Sequence, residues 1–140
     1  MLAFRTLEFD RIVADVAALS LTPLRRVRLE DATPATELRD VAALQHGTTE
    51  TVRFFEQNPA FPLRAGQGLT ESLASLGIEG RPLDPLSLRT LAEFVDSVER
   101  SRAGILAAKG SYPLLTAIVS QLASFKTEVA AVREAIDVSG

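Results

Sequence analysis

His46 stands four residues before Glu50, the spacing at which two side chains share a helix face and can serve as acid and base or as two metal ligands. The chain holds no second histidine and no cysteine. Multi-histidine metal sites, thiolate nucleophiles, cysteine zinc sites and disulfide frameworks are therefore excluded. With Gly47 between its members, the pair reads as a solvated helix face. Carboxylates recur together, Glu8 with Asp10 and Glu37 with Asp40, but on helix surfaces with no concave apolar site between them, and no acid/base pair is assigned. Gly66-Gln67-Gly68 opens like a dinucleotide fingerprint but lacks the third glycine, the preceding strand and a following βαβ unit. It reads as a loop. What remains is Arg25, Arg26 and Arg28, the densest basic cluster and the candidate phosphate contact, with Arg11 in reach. Glu30 and Asp31 follow directly, so the competing expectation is a salt-bridged exposed face.

The elements that would position these groups are all of one kind. Phe9, Ile12, Val13, Val16 and Leu19 recur at three- and four-residue spacings within Leu7 to Leu19, which makes an amphipathic helix with those residues inward. Thr22-Pro23, Thr33-Pro34 and Asp84-Pro85 each set a capping oxygen before a proline that has no N–H to leave unsatisfied, so each is expected to start a helix. The helix from Pro34 would carry Leu38, Val41, Gln45, Val52 and Phe55 on one side, pass Gly47 at a cost of about 1 kcal/mol relative to alanine, and stop at Asn58-Pro59. Phe61 to Gly68 is a loop before a short helix around Leu69, Leu73 and Leu76, and a turn spans Gly77 to Pro82. A long helix runs from Pro85 to about Arg102 with Leu88, Leu91, Ala92, Val95 and Val98 inward. Pro113 to Ala123, with Leu114, Leu115, Ile118, Val119 and Leu122, and Phe125 to Ile136, with Val129, Val132 and Ile136, complete the set. The expected fold class is all-α, a bundle of about six helices in a single domain, with no sheet beyond a minor pairing near Phe61 to Gly68 or Leu83. Arg100 and Arg102 are explained by the macrodipole at the C-terminus of the long helix.

With 46% hydrophobic and 24% charged residues the chain is ordinary globular composition. Its formal charge of -3 is opposite to the footprint of a free-standing nucleic-acid-binding domain, so any such contact must be local. No apolar run reaches the ~18 residues of a membrane span and the start lacks a cleavage site; the expectation is a cytoplasmic protein without membrane partners. The closing Asp137-Val138-Ser139-Gly140 is a turn composition that reads as a cut rather than a finish.

Four blocks, taken in order, resemble one family. They are Thr6-Leu7-Glu8-Phe9-Asp10 with Ile12; Leu29 through Pro34 to Glu37-Leu38, with Thr49-Glu50 beyond; Gly68-Leu69, Leu76, Gly77, Gly80, Leu83, Pro85 and Leu88 to Leu91; and Pro113-Leu114-Leu115 with Glu134-Ala135-Ile136-Asp137 to Gly140. Together they are similar to the second branch of bacterial MutS homologues, the branch that ends in a Smr endonuclease domain. The resemblance implies the first part of the core or lever region, ahead of the long clamp, the ATPase and the nuclease. For the parent it implies a homodimeric ATPase that binds branched DNA, suppresses recombination and, in some members, acts on stalled or collided ribosomes.

The G-x-x-x-x-G-K-[ST] phosphate loop is absent from these residues. No cofactor is therefore expected here, ATP and Mg2+ belonging to the parent outside this segment, and no catalytic residue carries over. Phe54-Phe55-Glu56 contains the Phe-x-Glu triplet with which mismatch-repair relatives wedge a mispaired base; late in a helix, with Phe55 on the apolar stripe, it reads as core packing. The leading expectation is a non-catalytic structural module of a DNA-acting ATPase that self-associates as a two-fold homodimer. The alternative is a stand-alone helical adaptor that binds partner helices; a hydrolase built on acidic residues ranks last.

Overall fold

Residues 8–137 are described by the computed structural model, so the expected helix start at Leu7 and the final Val138 to Gly140 lie outside the described residues. Seven helices and no strand occur among them: α1 (Phe9–Ala18), α2 (Pro23–Glu30), α3 (Leu38–Gln57), α4 (Leu69–Leu76), α5 (Pro85–Ala107), α6 (Pro113–Ser120) and α7 (Lys126–Asp137). The all-α class holds, with one helix more than the sequence count of about six.

Two of the three proline starts are seen. Thr22 Oγ1 accepts from the Arg25 N–H at 3.2 Å, and Asp84 Oδ1 accepts from the Ser87 N–H at 3.0 Å. The Ser87 hydroxyl also donates to Asp84 Oδ2 at 2.6 Å, and these bonds hold the Asp84 carboxyl below its ordinary pKa. Thr33-Pro34 does not start a helix. Residues 32–36 are irregular, and α3 begins only at Leu38 behind Glu37, which makes no side-chain cap. Proline is compatible with a first helical position but does not compel one. At the other end of α5, the helix does not stop near Arg102. It continues to Ala107 because Ile105, 7% exposed, anchors the last turn in the core.

α5 is the hub, packing on α4, α6 and α7, while α1 lies on α2, α2 touches α4, and α3 rests on α6. The main core joins the end of α3 to the ends of α5 and α6: Phe54, Ile105, Tyr112 and Val119, with Phe61, Ala108 and Leu115 against them. Phe54 meets Tyr112 edge-on at 5.2 Å between ring centroids and Phe61 at 5.9 Å, a favourable geometry for ring quadrupoles. The Tyr112 hydroxyl donates to Gln57 Oε1 at 2.8 Å, satisfying its one polar atom. Core packing is thus the role of the Phe54-Phe55-Glu56 triplet, but through Phe54; Phe55 lies at the edge.

Several inward expectations are reversed. On α3 the buried side chains are Glu50 and Phe54, whereas Leu38, Leu44, Val52 and Phe55 face outward. At about 100° per residue the two sets lie more than a quarter-turn apart. On α1, Ala17 is buried while Ile12, Val16 and, just past the helix end, Leu19 are exposed, and on α6 Val119 is buried while Leu114, Ile118 and, beyond the helix end, Leu122 are exposed. The reason is area. The chain exposes 10778 Å², against about 7,100 Å² for a compact monomer of its mass. α1 and α3, which would need a second layer to cover their apolar stripes, each pack on a single helix, and α6 packs on only two.

Candidate interface between α2, α3 and α6

α2 is short, capped by Thr22, and has three arginines in its first two turns. Helical spacing splays them: Arg25 and Arg28 lie roughly 60° apart and Arg26 on the far side. Arg26 Nε pairs with Glu30 Oε1 at 3.2 Å, an exposed i,i+4 bridge of the kind that contributes little. Among the described residues neither Arg25 nor Arg28 makes an ion pair. The salt-bridged face expected from Glu30 is therefore present at Arg26 alone, and no one phosphate meets all three guanidinium groups.

Arg25 instead lines a groove of about 500 Å³ between α3 and α6, whose walls include Leu44, Gly47, Val52, Leu114 and Ile118. Two threonines in the same wall present methyl groups, because Thr48 Oγ1 donates to the Leu44 carbonyl at 2.9 Å and Thr51 Oγ1 to the Gly47 carbonyl at 2.8 Å. Gly47 belongs to this wall: a β-carbon there would sit 3.9 Å from Leu114 Cδ1, in ordinary contact. The groove is apolar with one unpaired cation at its margin.

His46 is exposed, as the solvated-face reading requires, but Glu50 is not; it is 5% exposed and its Oε1 accepts from the Leu115 N–H at 2.8 Å. The pair is split between solvent and core. Glu50 does for α6 what Tyr112, which makes no side-chain cap, cannot: it places an acceptor and a negative charge at the helix N-terminus. Glu99 on α5 repeats the device for α7, accepting from the Phe125 N–H at 3.3 Å. A hydrogen bond from Ser124, then that Phe125 bond and the charges of Lys126 and Arg102, hold the Glu99 carboxyl below its ordinary pKa against a desolvation that opposes them. Arg100 bridges Asp96 at 3.0 Å, and Arg133 of α7 reaches the same carboxylate at 3.1 Å. Because α5 runs on to Ala107, Arg100 and Arg102 lie outside its last turn, and the macrodipole explanation is replaced by this ion-pair bridge for Arg100.

Sequence reasoning missed Ser97 and Ser101, among the most buried residues of α5. Ser97 Oγ accepts from the Arg64 N–H at 3.1 Å and lies equally close to the Arg64 carbonyl, clasping the 58–68 loop to α5. The small-residue spacing at 97 and 101 was the available signal. Gly66-Gln67-Gly68 is a loop, as expected; Gly68, at φ 80°, makes the left-handed turn into α4 that favours glycine. Glu8, Asp10, Glu37 and Asp40 are all exposed, and among the described residues no helix is long and apolar enough to cross a membrane.

The chain is 32% identical over 136 residues, 97% of its own length, to a protein described as Endonuclease MutS2 from Symbiobacterium thermophilum. It spans 17% of that relative's length. No family model matches the chain, and no solved structure matches it.

Proposed function

We propose that the chain is the N-terminal helical segment of a MutS2-type protein, a non-catalytic structural and dimerisation module in a larger ATPase and endonuclease that acts on branched DNA. The observation that carries the reading is similarity along nearly the whole chain, at one place in a far longer relative. The physics agrees with it. A domain with about half as much again exposed surface as its mass requires, and apolar stripes outward on three helices, is built to be covered. Its packed part, α5 with α4, α6 and α7, is held by tertiary helix caps and buried serines that suit a rigid lever root.

Within this reading Arg28, exposed and unpaired, and Arg26, only weakly engaged, are the candidates for phosphate contact on DNA or on ribosomal RNA. Replacing Arg25, Arg26 and Arg28 together by alanine in the whole protein is expected to weaken branched-DNA binding alike across sequences and to flatten its salt dependence. Unchanged affinity would leave Arg26 and Arg28 as solubilising surface. The wider reading is tested by the reading frame downstream of Gly140: a heptad-rich stretch and a phosphate loop support it, whereas a stop codon there favours a helical adaptor.

A further inference from the structure

We propose that the α3–α6 groove takes α1 of a second copy of this chain, with Arg25 of the groove meeting Asp15 of the incoming helix. The inference rests on the dimerising module proposed above and names its contact. α1 and its C-cap present Ile12, Val16 and Leu19, between 48% and 82% exposed, as one stripe. On a helical wheel Asp15 borders that stripe, while Asp10 falls on the side of buried Ala17. Asp15 has no ion pair among the described residues, and neither has Arg25. An apolar helix edged by a free carboxylate thus faces an apolar groove edged by a free guanidinium.

The lengths agree. Ile12 to Leu19 spans about 10 Å along a helix, and the Leu44 to Val52 wall and the eight residues of α6 each span about 12 Å. The connectivity also suits a closed pair: α1 packs on α2, and α2 carries the Arg25 that borders the groove. Helix and groove are therefore neighbours within one copy, and a two-fold axis near α2 exchanges them reciprocally, as isologous contacts require.

Sedimentation equilibrium of the purified chain tests this. The wild type is expected to dimerise, and Arg25→Glu or Asp15→Arg alone to raise the dissociation constant about tenfold or more. Mixing the two single variants restores both contacts at once in the heterodimer, and the double variant restores them in the homodimer. Both positions are exposed, and circular dichroism of each variant confirms that helix content is kept. A wild-type dimer indifferent to either substitution, or variants weakened but not rescued on mixing, overturns this contact and leaves the dimer reading standing. A monomeric wild type at micromolar concentration overturns both.

Discussion

Glu50→Ala removes the buried carboxylate that caps α6 across 65 residues of sequence. A hydrogen bond to a charged group is worth about 1.5 to 3 kcal/mol, and the Leu115 N–H would be left without its acceptor. With the small void added, the expected loss is about 2 to 3 kcal/mol, or about 7 to 10 °C in Tm for a chain of this length. Glu50→Gln keeps an acceptor and gives up the charge at the helix N-terminus, an expected loss of about 1 kcal/mol or less. The assay is internal to the protein. With no tryptophan and one tyrosine, tyrosine fluorescence reports on Tyr112, which sits in the core that α6 completes. Urea unfolding followed at that signal and by circular dichroism gives both stabilities. An alanine variant within about 0.5 kcal/mol of wild type, or a glutamine variant as damaged as alanine, refutes the capping account.

Gly110→Ala would bring a β-carbon within 2.5 Å of the Tyr112 ring, which is pinned by Phe54 and Gln57; an overpacking loss of about 1 to 3 kcal/mol with altered tyrosine fluorescence is expected, and unchanged stability would show that the ring moves freely. Glu99 has its folded pKa below the unfolded value, so its stabilisation is complete above the ordinary glutamate range and is lost as pH falls through the lowered value. Wild type should therefore lose more stability than Glu99→Gln on acidification below about pH 4.3, and parallel pH profiles in urea titrations would contradict the cap on α7. The purified chain should neither bind nor hydrolyse ATP; turnover abolished by a point substitution within it would overturn the non-catalytic reading.

What was legible in the sequence is what neighbours in the chain decide. The Thr22 and Asp84 caps, the glycine turn at Gly68 and the start of α5 follow from residues within a turn of one another, whereas α5 runs past Arg102 because Ile105 meets the core. Glu50 and Ser97 were not legible, because their partners at Leu115 and Arg64 lie 65 and 33 residues away. The stripes on α1, α3 and α6 were found but assigned to the wrong environment. Amphipathic spacing shows which side of a helix is apolar, and in a thinly layered chain that side can remain exposed. The arginine trio looked dense in sequence, yet helical geometry sends Arg25 to the groove, Arg26 to Glu30 and Arg28 to solvent.

The proposed lever role is tested most directly in the whole protein carrying Glu50→Ala, by measuring the proposed ATP hydrolysis beside the difference in four-way-DNA affinity between ATP and ADP states. Hydrolysis is expected to persist at the wild-type rate while the nucleotide-dependent difference in affinity collapses, because α6 no longer holds its place against α3. Hydrolysis lost with the affinity difference intact would contradict it, placing this segment in the catalytic machinery instead of the structure that transmits its state.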